Sequence, residues 1–92
     1  MRPQSVDSPK DRLSELSVVH NAVAEGWSVA TCMWREEDGT QSRRVGIRWN
    51  GDENELGHPQ STGHATWFLL PENLIAEFVE MYAARRERGD AL

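Results

Sequence analysis

Apolar side chains recur every three or four residues near the end of the chain, and this spacing predicts an amphipathic helix. The helix is expected to begin after Pro71 with Glu72 in its first turn, and to end at Gly89, because these residue types are typical of those positions. Its apolar stripe consists of Leu74, Ile75, Phe78, Val79, Met81 and Tyr82.

Two segments with strand character precede the helix, from Trp27 to Arg35 and from Arg43 to Trp49. The Asp38-Gly39 pair between them is a strong hairpin signal. A three-residue loop matches side-chain sizes across the two strands better than a two-residue loop does, and loop length sets the register. The favoured register pairs Trp27 with Trp49, Val29 with Ile47 and Thr31 with Val45.

On this register, one apolar face of the hairpin is expected to point into the core. The opposite face is expected to point outward, and its basic and aromatic side chains could stack on bases and contact phosphate. The alternative, that the arginines pair with nearby glutamates, is favoured because the formal net charge of the chain is −5, which opposes general binding to a phosphate backbone. The expected outward face carries Cys32, Trp34, Arg44, Gly46 and Arg48.

Two further segments complete the predicted sheet. Thr66–Leu70 is expected to be a strand buried on both faces, because its residues are apolar or nearly so in succession. Before the hairpin, a turn or short helix at Pro9–Ser14 followed by a strand at Leu16–His20 is favoured. A single helix over Pro9–Glu25 is the alternative.

The length and composition fit one small folded domain. The chain has 92 residues, 38% of them hydrophobic and 27% charged, which leaves no room for a second core and does not indicate disorder. We expect residues 1–10 to be a mobile tail and residues 11–92 to be a single α+β domain. The predicted fold is a three- or four-stranded antiparallel β-meander packed by the C-terminal amphipathic helix.

The segment Asn50–Ala65 shows neither helical nor strand periodicity, and long loops of this kind are often functional. His58 and His64 lie among acidic residues, but their spacing matches no known set of metal ligands. Ser61 could serve as a nucleophile beside a histidine, yet no nucleophile-elbow motif surrounds it. The sequence therefore assigns no catalytic residue, no metal ligand and no cofactor, and an enzyme or metal site in this loop is kept as an alternative.

Several features point to the cytoplasm. Cys32 is the only cysteine, so no disulfide can form within the chain. The first residues lack the apolar stretch of a signal peptide, and no apolar run is long enough to span a membrane. We therefore expect a cytoplasmic protein without membrane association.

Four motifs follow one another along the middle of the chain: Ser28-Val29-Ala30, Gly46-Ile47-Arg48-Trp49-Asn50-Gly51, Gly57-His58-Pro59-Gln60-Ser61 and Thr66-Trp67-Phe68-Leu69-Leu70-Pro71. Their order resembles that in a group of small uncharacterised bacterial proteins with the pattern SVA, RWNG, GxPxS and TWFxLP. The resemblance covers about Trp27–Leu74 and implies a strand before Gly26, but it implies no activity. Ala65 departs from the pattern, which often has proline at that position.

These observations favour a small non-catalytic binding or regulatory module that contacts another protein or a second copy of itself. Tryptophan and arginine are the residues most enriched at the energetic centres of protein interfaces. Nucleic-acid binding through Trp34, Arg44 and Arg48 is the first alternative. The residues expected to take part in binding are Trp34, Arg44, Arg48, Trp49, Asn50, His58, Ser61 and His64.

Overall fold

A computed structural model describes residues 1–89 and confirms the α+β class. The elements are β1 Leu13–Ala22, β2 Trp27–Arg35, β3 Gln41–Trp49, β4 Gln60–Ser61, β5 His64–Ala65, β6 Phe68–Leu69 and α1 Ile75–Arg88. The main sheet has four antiparallel strands in the order β1-β2-β3-β6, and β4 and β5 form a separate small hairpin. Short 3₁₀ turns precede β1 and α1, at Pro3–Ser5 and Glu72–Leu74.

The β2–β3 hairpin has the predicted register, with Trp27 opposite Trp49 and Val29 opposite Ile47. The backbone N–H of Glu36 donates to the carbonyl of Thr40 at 2.8 Å, which encloses the three-residue loop. Gly39 has a φ of 89°, as the loop requires. Hydrogen bonds from the side chain and backbone of Thr40 hold the pKa of the Asp38 carboxyl below its usual value.

Strand β1 confirms the favoured interpretation of the segment before the hairpin, although the strand is longer than predicted. The single helix over Pro9–Glu25 is wrong. The pairing of β1 with β2 shifts register twice, between Ser14 and Ser17 and between Val18 and His20. The β-branched side chains of the segment favour a strand, and these irregularities explain why its alternation of polar and apolar residues is weak.

The core lies on the sheet face that was predicted to point outward. Ala30 and Cys32 on this face are buried against Trp67, whose indole packs directly over Gly46. A Cβ atom at Gly46 would lie 3.0 Å from the Cβ of Trp67. The prediction was wrong because it assumed one covering layer, whereas the N-terminal residues and the segment after β3 cover this second face.

The first residues of the chain pack into the core, whereas a mobile tail was predicted for residues 1–10. Val6 is only 1% exposed, and its carbonyl accepts a hydrogen bond of 2.8 Å from the Trp67 indole N–H. The amino group of Met1 donates to backbone carbonyls of the segment after β3, namely those of Asn50, Asp52 and Glu55, at 2.9, 2.9 and 3.0 Å. One buried valine and one buried proline give no periodic pattern, so the sequence did not reveal this segment.

The strand predicted at Thr66–Leu70 is shorter than expected, and only one of its sides is buried. Phe68 and Leu69 pair with Ile47 and Gly46 of β3. Trp67 points into the core, whereas Phe68 lies on the opposite face and is 55% exposed.

Helix α1 lies across this opposite face of the sheet, and its existence and its end at Gly89 are confirmed. The ring of Tyr82 lies 6.0 Å from the ring of His20 on β1, and its hydroxyl donates to the Val19 carbonyl at 3.5 Å. Val29 is buried on this face, but no residue of α1 is fully buried. The helix therefore covers only part of the face.

Candidate binding cleft

An open cleft of about 620 Å³ lies where α1 leaves the sheet uncovered. We call it the apolar cleft. Two of its residues are unusually exposed for large apolar side chains, Trp49 at 60% and Phe68 at 55%. The apolar residues that line it are Trp27, Ile47, Trp49, Pro59, Phe68 and Phe78.

The hairpin register creates the floor of the cleft. Trp27 and Trp49 are direct cross-strand partners, and Ile47 pairs with Phe68 on the other side of β3. Side chains on alternate positions of a strand share a face, so Ile47 and Trp49 point the same way. Phe78 of α1 closes one side.

The segment after β3 returns to supply the remaining wall. Trp49 N–H donates to the His58 carbonyl at 2.7 Å, and His58 N–H donates to the Trp49 carbonyl at 2.9 Å. This pair of hydrogen bonds places His58 and Pro59 beside Trp49 at the cleft. The cleft therefore brings together three of the predicted binding residues, Arg48, Trp49 and His58.

Arg48 holds this returning segment in place from behind the sheet. It is 3% exposed, and its guanidinium donates to the backbone carbonyls of Thr66 and Leu56. Burial lowers the pKa of Arg48 below its ordinary value. Arg48 also lines the cleft. Its two terminal nitrogens are directed at the protein's own backbone, and its Nε is buried without a hydrogen-bond partner among residues 1–89. Arg48 therefore positions the cleft wall and does not present an exposed charge to a ligand.

Asn50 has a similar internal role. Ser28 Oγ donates to Asn50 Oδ1 at 2.7 Å, and Asn50 Nδ2 donates to Asn21 Oδ1 at 3.0 Å. Both Ser28 and Asn50 are buried. This network joins the end of β3 to β1 and β2, and it fixes the Trp27–Trp49 end of the sheet.

The basic and aromatic surface that was considered for nucleic-acid binding is not formed, and the favoured interpretation, that its arginines pair with nearby glutamates, is confirmed for Arg44. Arg44 Nη1 lies 3.4 Å from Glu36 Oε1 and 3.8 Å from Glu72 Oε1, and Nη2 donates to the Leu70 carbonyl at 3.0 Å. Trp34 is half-buried against the core, with the guanidinium carbon of Arg12 lying 5.8 Å from its ring centroid.

The predicted chemistry of the Asn50–Ala65 segment has no geometry to support it within residues 1–89. The segment is not structureless, since β4 and β5 make Ser61 and His64 cross-strand partners. Both are exposed, and no side-chain hydrogen bond joins them to each other or to His58. No group of three or more His, Cys, Asp or Glu side chains in that part of the chain could hold a metal ion.

Cys32 is similarly unsuited to nucleophilic chemistry. Burial raises the pKa of its thiol, although the nearby charges of Arg44 and Arg43 act in the opposite direction. A buried, protonated thiol is a packed apolar group.

Sequence reasoning missed most of the residues that line the cleft. It assigned Trp27 and Ile47 to the core, Phe68 to a buried strand and Phe78 to the helix stripe. A signal for the cleft was nevertheless present in the sequence. The sheet face that packs against α1 carries more large apolar side chains than a single helix can cover.

No protein-family model, no curated protein and no solved structure matches this chain. Within residues 1–89, none of the helices has the length and apolar character needed to cross a membrane.

Proposed function

We propose that this protein is a small, non-catalytic cytoplasmic module that binds an apolar segment of another protein in the apolar cleft. The observation that carries the proposal is the exposure of Trp49 and Phe68 on a concave apolar surface. Contiguous exposed apolar surface of this kind usually marks an interaction site, and aromatic residues are enriched there.

The energetics support this use of the cleft. Covering roughly 100 Å² of apolar surface on each of Trp49 and Phe68 would contribute about 2.5 kcal/mol per residue at about 25 cal/mol per Å². Both side chains are on strands of one sheet, and Trp and Phe lose little rotamer freedom on binding. The cleft is thus a preformed surface, and covering it with an apolar segment would contribute strongly to the free energy of binding.

The other two functions have less support. Nucleic-acid binding through the predicted face would need Arg44 and Arg48 at the surface, and both are bonded within the protein. Catalysis in the Asn50–Ala65 segment would need contact between a nucleophile and a base, and the side chains of Ser61 and His64 are not joined.

The proposal is tested by serine substitutions at the two exposed cleft residues. A partner captured from the source cells is identified and purified, and its affinity is then measured by titration calorimetry. We expect Trp49→Ser and Phe68→Ser each to weaken binding on the order of tenfold or more, because each removes an apolar anchor.

Val23→Ser is the matched control, since Val23 is 79% exposed and does not line the cleft. It should leave the affinity unchanged. All three variants should retain the circular dichroism spectrum of the wild type, because the substituted side chains are exposed. If the cleft variants bind the partner as tightly as Val23→Ser does, the cleft is not the binding site.

A further inference from the structure

The exposed charged side chains in the segments that form most of the apolar cleft have one sign, whereas Arg48, which also lines the cleft, is buried. The walls of the cleft come largely from residues 49–84, a stretch that contains no lysine and no arginine. The same stretch contains six acidic residues, all of them exposed: Asp52, Glu53, Glu55, Glu72, Glu77 and Glu80.

The acids lie in the same short segments as the lining side chains. Asp52, Glu53 and Glu55 are in the connection between Trp49 and His58, and Glu77 precedes Phe78 on α1. Glu53 also lines a separate pocket that contains Met1 and Arg2. The other exposed acids in these segments favour a negative potential around the cleft, which concentrates at a concave apolar surface.

The nearby positive groups offset this potential only in part. The Met1 amino group is bonded to the Asn50–Glu55 backbone and balances one of the charges there, and Glu72 is paired with Arg44. The guanidinium of Arg48 is bonded to backbone carbonyls on the other side of the sheet.

The aromatic lining adds a second preference for positive charge. Four rings face the cleft, those of Trp27, Trp49, Phe68 and Phe78. The face of an aromatic ring carries negative potential and attracts an ammonium or guanidinium group. The long aliphatic stems of lysine and arginine also pack well on apolar surface.

We propose that the segment bound in the apolar cleft is basic as well as apolar, with lysine or arginine beside its aliphatic or aromatic anchors. This inference rests on the proposed function and specifies the partner. A second copy of the chain is disfavoured, because each copy has a net charge of −5 and presents the same acidic surroundings. The partner is therefore a different protein, and its docking segment is positively charged.

Three blocked synthetic peptides provide the probe. They share the same amphipathic arrangement of leucines, and their polar positions are all lysine, all glutamine or all glutamate. Each is titrated into the full chain, with tryptophan fluorescence as the signal because Trp49 is exposed. We expect the lysine peptide to bind on the order of tenfold more tightly than the glutamine peptide, and the glutamate peptide to bind most weakly.

Two further readouts separate the cleft from general attraction to an acidic protein. The preference for lysine should shrink between roughly 20 mM and roughly 500 mM salt, because salt screens exposed charges. Binding of the lysine peptide should be lost in Phe68→Ser and retained in Val23→Ser.

The acids are tested in the same way. Glu77→Gln, and Asp52→Asn with Glu53→Gln and Glu55→Gln, should each reduce the preference for lysine severalfold. Glu15→Gln is the matched control, because Glu15 is an exposed acid on β1 outside the cleft segments.

The possible outcomes are distinct. If the lysine, glutamine and glutamate peptides bind equally and Phe68→Ser abolishes binding, the cleft binds apolar segments but the charge preference is wrong. If none of the peptides binds, the inference is wrong, and the partner affinities of Trp49→Ser and Phe68→Ser still decide the proposed function. A wild-type dimer in sedimentation that dissociates in Phe68→Ser would show that a second copy occupies the cleft and would overturn the inference.

Discussion

Gly57 lies at a point where two parts of the backbone come too close for any larger residue. It has a φ of 69°, and a Cβ atom there would collide with the Trp49 carbonyl and the Arg48 guanidinium. The returning segment can thus pair with the end of β3 only because this position has no side chain. The placement of His58 and Pro59 in the cleft follows from it.

We predict that Gly57→Ala destabilises the protein by about 3 kcal/mol or more, because left-handed strain is added to a collision with backbone. Gly63→Ala is the matched control, since Gly63 also has a positive φ, 79°, but has no neighbour within 4 Å of the added Cβ. We expect Gly63→Ala to lower the free energy of unfolding by about 1–2 kcal/mol. Urea unfolding measures the free energy of unfolding of both variants. If Gly57→Ala and Gly63→Ala lose the same amount of stability, the backbone relieves the collision at Gly57 with little loss of free energy.

At the residue scale, the sequence indicated where turns would occur but not which charged residues would be buried. Gly39 and Gly89 have the left-handed conformations that local sequence predicted. Arg48 was expected at the surface, because arginine is rarely buried without partners. Its partners are backbone carbonyls, one of them at Thr66, 18 positions away, and local sequence does not report contacts of that kind.

At the scale of secondary structure, elements formed by local interactions were predictable. The β2–β3 hairpin has the expected register because its turn and its cross-strand pairs favour the same alignment. Helix α1 follows from its apolar spacing and its terminal glycine. The small β4–β5 hairpin was missed, since two-residue strands are too short to show alternation.

The N-terminal segment was the least predictable element, and it provides a direct test of the fold. Val6 is one of the most buried residues of the chain. We predict that Val6→Ala lowers the free energy of unfolding by roughly 1–3 kcal/mol, because it removes buried methyl groups and leaves a cavity.

Gln4→Ala serves as the control, because Gln4 is exposed in the same segment. Its effect should stay within about 0.5 kcal/mol. Chemical denaturation measures the free energy of unfolding of Val6→Ala and of Gln4→Ala. A mobile tail would instead give no loss of stability in either variant.

At the scale of the whole molecule, the two faces of the sheet differ in how completely they are covered. The face beneath Trp67 is covered by the N-terminal segment and by the segment after β3, whereas the face beneath α1 remains partly open. The sequence predicted the strands, the helix and their order, because these depend on local patterns. It could not predict which face would be sealed, because that depends on contacts between distant parts of the chain.

The Cys32 thiol can be used to detect opening of the sheet face beneath Trp67, because it is buried there. Its raised pKa means that the folded protein keeps the thiol proton at a pH where the unfolded chain loses it. The resulting stabilisation is complete below the ordinary thiol pKa and is lost as the pH rises through the raised one. We therefore predict that the stability of the wild type relative to Cys32→Ala falls between neutral and alkaline pH.

Urea unfolding of both proteins across that pH range tests the prediction. If the difference in free energy of unfolding between the wild type and Cys32→Ala stays constant across the pH range, the prediction is wrong. Thiol labelling provides an independent measure, since Cys32 should react with an aromatic disulfide reagent only when the protein opens. Fast labelling under native conditions would mean that the face above Cys32 opens readily.

The hydrogen bond between Trp67 and Val6 also has a consequence for how the protein is made. The two residues are 61 positions apart, and the indole closes the face over which the N-terminal segment lies. During synthesis Val6 leaves the ribosome well before Trp67, and the surface that buries Val6 is complete only after Trp67 has emerged. Because native contacts over such long sequence separations slow folding, we expect Val6 to stay exposed on the nascent chain until Trp67 has emerged.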